Sequence, residues 1–419
     1  MGYPESAFLH YTAPPVVGGV EAVITAHAQI FLQAGHSVSV VAGWGEEGAL
    51  PEGTDLIIVP EINSQHPEIV ELGAQLDQGE VPLGFEAMIR QLSTSLEPIL
   101  SRFDNLIVHN VFTKHFNLPL TAALCRLLDE GAITHCIGWC HDFTWTSPSS
   151  GSKVHPGYPW DLLRTGRPDV TYVVVSKRRQ RELASLFGCP PEQIHVVYNG
   201  VDPGALLGLS DVGYGLVNRL GLLESDLILL MPVRVTRAKN VEYALQVVAA
   251  LKAGACRPKL VLTGPPDPHD AKSMAYFQLL QDLRRRLDVE EETHFVFASG
   301  PDPTQGFIID AEVVGELYRV SDLMFMPSHR EGFAMPVLEA GLAGVPVVCT
   351  EVPAAVEIGG DDLILLDTDD DPGHLAGRIL HWAEHSPVHR LRRRVRQNYT
   401  WKAIFRRDIE PLLHKQREA

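Results

Sequence analysis

Residues 6–42, SAFLHYTAPPVVGGVEAVITAHAQIFLQAGHSVSVVA, decide the fold. Ser6–Tyr11 is an apolar run of strand length, and Gly18-Gly19 interrupt the chain after it. Val20, Val23, Ile24, His27, Phe31 and Ala34 then recur at helical spacing, with Gly35 as the stop. Ser37–Ala42 is a second apolar strand. Strand, helix and strand in this order form a βαβ unit, which implies a parallel sheet covered by helices.

The alternation continues outward. Central strands are expected at Leu56–Val59, Leu106–His109, His135–Cys140, Thr171–Val175 and His195–Tyr198. A second series follows the turn-rich Asn199-Gly200-Val201-Asp202. Its expected strands are Leu227–Val233, Lys259–Thr263, His294–Phe297, Leu323–Met326, Val345–Cys349 and Leu363–Leu366. Helices Val241–Leu251, Tyr276–Leu287, Glu312–Val320 and Pro336–Leu342 fill the gaps. A chain of 419 residues exceeds one hydrophobic core. The fold class expected is therefore α/β, with two doubly wound, Rossmann-like halves joined near residue 200. A cleft is expected where the carboxyl ends of their strands face each other, because ligands bind at that edge of such sheets.

Hydrophobic residues make up 45% of the chain and charged residues 21%, the balance of an ordinary globular protein. Apolar runs such as Leu227–Val233 are far shorter than the roughly 20 residues that span a bilayer. No charged-then-apolar segment opens the chain, so the expectation is a cytoplasmic home without membrane association. Met1-Gly2 with Ser6 fits the loose myristoylation pattern, which is short enough to arise by chance. The net charge of −17 argues against nucleic acid or an anionic membrane as a partner. The six cysteines, Cys125, Cys136, Cys140, Cys189, Cys256 and Cys349, contain no C-x-x-C pair. Cys136 and Cys140 share one strand face while His141 points to the other, which favours buried thiols over a zinc site. The basic run Arg390–Arg396 reads as the solvated face of a helix beside Trp382 and Trp401.

An acidic protein that holds an anionic ligand must build a local positive site, and four stretches qualify. Gly18-Gly19 precede the first helix, where backbone approaches a ligand closely and a helix N-terminus favours an anion. Arg234 and Lys239, in the run 231–240 after the first strand of the second half, leave a strand end as two cations. They would clamp a diphosphate and stabilise its developing charge on departure, the work a metal does elsewhere. In 329–340, HREGFAMPVLEA, a glycine-bearing loop leads to Pro336 at the first helical position. The N–H groups of Gly332, Phe333, Ala334 and Met335 would receive a phosphate. Glu331 before the helix and Glu339 inside it would reach different parts of one ligand. His141 closes a strand of the first half at its carboxyl end, set against the ordinary reading of a core histidine. The aromatic loop after it, with Lys153, Tyr158 and Trp160, is a candidate acceptor wall, set against packing on its own domain.

P-P-V-V-G-G-V-E at 14–21, V-V-Y-N-G-V-D at 196–202, R-V-T-R-A-K-N at 234–240 and E-G-F-A-M-P-V-L-E at 331–339 resemble glycosyltransferase family 4. The likeness runs from Tyr11 to the Trp401 region, and Glu331 and Glu339 after S-H-R are its most diagnostic feature. The resemblance implies a GT-B fold with an acceptor-side domain at 1–200, a nucleotide-sugar donor domain at 201–398, and a helix at 399–419 returning to the first. It implies a retaining hexosyltransferase that moves glucose or mannose from a UDP- or GDP-linked donor to a hydroxyl, with no cofactor and no metal. Gly19 would approach the donor phosphates, and Arg234 and Lys239 would hold the diphosphate. Glu331 would touch sugar hydroxyls, Glu339 the ribose, and His141 the transferred sugar. Thr263-Gly264 and Ser299-Gly300 would sit near the nucleotide. Two features depart from the pattern: Asn240 replaces a usual glycine, and 299–311, with Pro301, Pro303 and Gly306, is long. A nucleotide-sugar epimerase or a sugar phosphorylase on the same architecture is the alternative.

Overall fold

The computed structural model describes residues 4–413 apart from Pro268, Ala271 and Pro303. The Met1-Gly2 pattern, Pro303 and the expected helix beyond residue 413 lie outside the described residues. The chain divides into unit 1, residues 1–200 with 401–419, and unit 2, residues 201–400. The second unit ends two residues later than position 398, because Val201 N donates to Tyr399 O at 2.8 Å and Val201 pairs with Thr400 in a parallel bridge.

Unit 1 is built on a seven-stranded sheet whose recorded pairings are all parallel. Its strands are β1 Glu5–His10, β2 Ser37–Ala42, β3 Thr54–Ile58, β4 Asn105–His109, β5 Cys136–Cys140, β6 Val170–Val174 and β7 His195–Val196. Their spatial order is β3-β2-β1-β4-β5-β6-β7, which reverses direction between β1 and β4. Helices α1 Gly19–Gln33, α2 Pro67–Leu76, α3 Phe85–Leu100, α4 Leu118–Asp129 and α5 Lys177–Phe187 cover it. Strand side chains alternate: Phe8, Ile107, Ile137 and Trp139 enter the core beneath α1, whereas Leu9, Val108, Cys136 and Cys140 enter the core shared with α3 and α4. Burial on both faces explains why these strands read as continuous apolar runs. Residues 401–413 pack on α1, with the Phe31 and Phe405 rings 5.1 Å apart.

Unit 2 repeats the plan with six strands, β8 Leu227–Met231, β9 Pro258–Leu262, β10 Thr293–Phe295, β11 Leu323–Met326, β12 Val347–Thr350 and β13 Ile364–Leu366. The order is β10-β9-β8-β11-β12-β13, all parallel, so the reversal lies between β8 and β11. Its helices are α6 Pro203–Leu207, α7 Asp211–Arg219, α8 Val241–Ala253, α9 Ser273–Arg286, α10 Ala311–Val320, α11 Met335–Ala343, α12 Pro353–Gly359, α13 Pro372–His385 and α14 Pro387–Asn398. Separate apolar cores fill the two faces of the sheet.

The basic run on α14 is only in part the solvated face expected of it: Arg390, Arg393 and Arg394 are exposed. Arg396 is buried and its Nη1 lies 3.1 Å from both carboxylate oxygens of Asp322, while Arg393 reaches Asp226 at 2.8 Å. Asp226 and Asp322 immediately precede β8 and β11, so α14 is stapled to the amino-terminal edge of the sheet. Burial raises the Asp226 carboxyl, yet hydrogen bonds from Arg257 and Gln397 and the charge of Arg393 carry it below the usual carboxylate range. No helix among the described residues is long and apolar enough to cross a membrane.

Candidate functional site

In unit 2 the loops after β8 and β11 meet at the carboxyl edge of the sheet, at its switch point. A Cβ on Gly264 would lie 2.4 Å from Val233 O and 2.7 Å from Arg234 N, so only glycine lets the loop after β9 pass this close. That contact, with Gly264 N donating to Val233 O at 3.1 Å and Val235 N to Pro265 O at 3.1 Å, sets the backbone of Arg234. The Arg234 side chain is exposed and has no hydrogen-bonding or ionic partner among the described residues. Thr263, by contrast, is buried at the end of β9.

Lys239 is held differently. Its Nζ lies 2.7 Å from both oxygens of Glu331, and His329 N donates to Ala238 O at 2.9 Å, so the two loops are tied by charge and by backbone. Asn240, next in the chain, has φ +49°, and its side chain accepts from Tyr243 N to cap α8. This is the left-handed region where glycine is the default and asparagine the best substitute, which accounts for its replacing the family's glycine.

The loop before α11 presents exposed backbone donors. Gly332, Phe333 and Met335 are exposed, and the N–H groups of Gly332, Phe333 and Ala334 meet no backbone acceptor among the described residues. Ala334 is the N-cap with φ +60°, a conformation costly for a residue with a Cβ. Because α11 begins at Met335, Pro336 is its second residue, not its first. Glu339 is exposed one turn further on, and Tyr318 Oη donates to its Oε2 at 2.9 Å. Burial and this carboxylate both raise the Tyr318 hydroxyl.

Ser299-Gly300 is folded into its own loop. Ser299 Oγ donates to Phe295 O at 2.8 Å, its carbonyl accepts from Arg219, and a Cβ on Gly300 would lie 2.7 Å from Phe307. Phe307 N donates back to Phe297 O at 2.9 Å, so the extra length at 299–311 closes over Phe297.

In unit 1 the glycine pair splits in role. The Glu21 carboxylate occupies the space beside Gly18, 2.1 Å from where a Cβ would stand, while nothing lies within 4 Å of one on Gly19. Thr12 Oγ1 donates to Glu21 Oε1 at 2.6 Å, and His10 Nε2 lies 3.9 Å from the same oxygen. A carboxylate therefore already complements the N-terminus of α1, leaving Gly19 as the open position.

His141 follows β5 and is partly buried. Its backbone N–H and that of Asp142 both donate to Asn110 Oδ1, at 2.8 and 3.2 Å. Its ring stacks on His109 with centroids 5.5 Å apart, and its Nε2 lies 3.2 Å from His109 Nδ1. Burial, helped by the neighbouring His10, pushes the imidazole down to about 4, so it is neutral near pH 7. Sequence reasoning missed its companions: β1 and β4 end in His10 and His109 and β5 is followed directly by His141, with His27 of α1 packed against His109. The recurrence of histidine at the ends of adjacent central strands is the signal that was there to read.

The acceptor wall needs correcting. Trp160 is buried in the core with α3 and α4, and its carbonyl accepts from Trp145 Nε1, so it cannot line a ligand. Its indole is too large and apolar to leave in water when a core lies beside it. Lys153 is engaged with Asp77 at 3.0 Å, and His155 Nε2 lies 3.1 Å from Asp77 O, which anchors the loop to the end of α2. Tyr158 stays half exposed, its ring edge-on to Phe85. The loop also contains two short 3-10 turns, Gly151–Lys153 and Trp160–Leu163.

Cys136 and Cys140 lie on one face, fully buried, and burial raises both thiols. Among the described residues, no group of three or more His, Cys, Asp or Glu side chains is arranged to hold a metal ion.

Residues 17–205 match the model described as Glycosyltransferase Family 4, and residues 217–400 match Glycosyl transferases group 1. The chain is similar to mannosylglucosylglycerate synthase of Petrotoga mobilis, 25% identical over 60% of this chain and 60% of that one. It is also similar to D-inositol 3-phosphate glycosyltransferase of Saccharomonospora viridis, 28% identical over 57% of this chain and 53% of that one. A solved glycosyltransferase from Rickettsia africae aligns over 99% of this chain and 100% of its own, with 16% identity and a TM-score of 0.38. The aligned part spans about half the length of the curated relatives, from 43% to 60%. With its two halves matched in succession by those two models, and with two doubly wound parallel sheets of the GT-B kind, the chain belongs to glycosyltransferase family 4.

Proposed function

We propose that this protein transfers a hexose, glucose or mannose, from a nucleotide diphosphate sugar to an acceptor hydroxyl with retention of anomeric configuration and without a metal. The observation that carries the proposal is the Lys239–Glu331 pair at the switch point of unit 2, with Arg234 exposed on the same loop as Lys239 and the N–H groups of 332–334 meeting no backbone acceptor among the described residues. In the ligand-free state Glu331 neutralises Lys239. A diphosphate arriving at the loop before α11 competes for the lysine, and the freed carboxylate accepts hydrogen bonds from sugar hydroxyls. The bond from the sugar's C1 to the phosphate oxygen is broken and C1 ends bonded to the acceptor oxygen on the same face. The acceptor proton leaves to the departing phosphate or to water. Arg234 and Lys239 stabilise the charge that grows on the diphosphate, which is worth more in a preorganised site than in bulk water. Glu339, steadied by Tyr318, takes the ribose hydroxyls, and Thr263-Gly264 and Ser299-Gly300 complete the donor contacts of unit 2.

For the acceptor, the names of two relatives include glycerate and inositol 3-phosphate, both anionic. We extend this to an anionic acceptor met by Lys153 and Tyr158, with Asp77 released from the lysine on binding.

The experiment is a donor panel of UDP-, GDP- and ADP-linked glucose and mannose against small hydroxyl acceptors, with and without EDTA. The anomeric configuration of the product is read by NMR. Retained configuration in the presence of EDTA is expected. Loss of activity in EDTA that magnesium restores would overturn the metal-free claim. Donor conversion with no acceptor would point to an epimerase, and dependence on inorganic phosphate without nucleotide to a phosphorylase.

A further inference from the structure

We infer that His109 is a positioning residue for His141: its Nδ1–H donates to His141 Nε2 and fixes the tautomer in which His141 presents an Nδ1–H donor, not a base, to its ligand. The consequence for catalysis rests on the sugar-transfer reading above, whereas the tautomer does not.

The two nitrogens are 3.2 Å apart with one proton between them, since both rings are held neutral by burial. The far side of His109 decides where that proton sits. His109 Nε2 is buried without a hydrogen-bond partner among the described residues, and its ring packs among those of Phe8, His27 and Trp139. A proton there would be a buried donor with nothing to bond, which folded proteins avoid more strictly than an unfilled acceptor. Placing it on Nδ1 leaves only an unfilled lone pair on Nε2. His141 Nε2 then accepts, and the His141 proton stays on Nδ1, the nitrogen that makes no hydrogen bond among the described residues.

The surroundings hold this geometry from both sides. His10 Nδ1 lies 3.0 Å from His109 O and can only donate to a carbonyl, which pins the end of β4. Asn110, at φ +63°, accepts from the N–H groups of His141 and Asp142 and pins the end of β5. Asp142 is itself held by Arg179 at 2.6 Å. The second atom of a histidine pair sets the first one's tautomer, and so its role, as ligand-binding histidines elsewhere are set by their outer partner. A fixed N–H suits a sugar hydroxyl oxygen and cannot remove a proton from one.

The test uses full-length protein labelled with 15N at histidine, with His141→Asn identifying the His141 signals. Long-range nitrogen–proton NMR correlations distinguish the two tautomers. The wild type is expected to show His141 as Nδ1–H. His109→Phe should shift it toward Nε2–H, and His109→Asn, whose amide N–H falls near the lost Nδ1–H, should keep it. With donor and acceptor present, His109→Phe should lower kcat at least about tenfold, as loss of an outer partner does elsewhere. Nucleotide affinity should stay unchanged, and His109→Asn should recover most of the rate. An Nε2–H tautomer in the wild type, or one unmoved by His109→Phe, would overturn the assignment. If the Phe variant fails to fold, the wild-type spectrum alone decides. If the tautomer behaves as described while wild type transfers no sugar, the transferase reading falls and the tautomer assignment stands.

Discussion

Lys239 Nζ sits 2.7 Å from both carboxylate oxygens of Glu331, joining the loop after β8 to the loop after β11 across the switch point of the second sheet. The pair is partly shielded, with the glutamate side chain only 7% exposed, so neither charge is idle. Replacing Lys239 by Ala is expected to cut turnover on the order of 100-fold, as loss of a preorganised charge stabiliser does elsewhere. Arg234→Ala should cost a similar factor with no loss of stability, because Arg234 holds nothing else in place. Steady-state kinetics beside thermal unfolding separates the two. An Arg234 variant that turns over normally would remove it from the clamp.

Glu339 should act on binding more than on rate, since a ribose contact exists in both ground and transition states. Glu339→Ala is expected to weaken binding of the nucleoside diphosphate about tenfold, the loss of one good charged hydrogen bond of roughly 1.5 kcal/mol. Tyr318→Phe, which removes only the hydroxyl steadying Glu339, should weaken it less. Calorimetry showing wild-type affinity in Glu339→Ala would rule out the ribose assignment.

Acid should weaken unit 1 through its buried histidines. His141 and His27 are pushed down from 6.5 to about 4 and about 3, chiefly by burial. Below pH 6.5 the unfolded chain binds protons that the folded chain refuses. Stability therefore falls as pH drops from 6.5 toward 4, at up to about 1.4 kcal/mol per pH unit for each such histidine. Unfolding temperatures measured across pH 7 to 4 should decline, and His27→Phe should flatten the decline. A variant as acid-sensitive as wild type would contradict this.

The Asp322–Arg396 pair should be worth more broken than kept. Arg396→Ala removes the guanidinium nearest the buried Asp322, leaving it the Ile228 N–H and Arg392 at 3.9 Å, and is expected to cost unit 2 about 3 kcal/mol. The double change Asp322→Asn with Arg396→Met should recover part of that loss, because the neutral amide oxygen still accepts from Ile228 N and leaves no buried charge unpaired. Denaturant unfolding followed on a unit 2 probe checks it. Equal losses in the single and double variants would argue that the charges themselves are required.

Much of the site was legible because its chemistry is local. Gly264, Asn240, Lys239 and the run from Glu331 to Glu339 sit at the ends of strands whose apolar runs announce themselves. A strand's carboxyl end in a parallel sheet points to a ligand without knowledge of its neighbours. Trp160 misled for the opposite reason. An aromatic in a long polar loop looks exposed until the loop is seen to fold onto a core, here anchored by Asp77 at the end of α2.

Sequence alone therefore determined the two parallel sheets, since alternation of apolar runs with amphipathic helices leaves no other way to bury both. It also determined which strand ends carry cations and carboxylates. Tertiary structure decided the partnerships: Lys239 with Glu331, Tyr318 with Glu339, Arg396 with Asp322, and His109 with His141. Lys239 meets Glu331 because β8 lies beside β11, His109 meets His141 because β4 lies beside β5, and the other two pairs depend on how helices pack against the sheet. Placing β8 beside β11 is settled by how the cores pack, and no short stretch of residues encodes it.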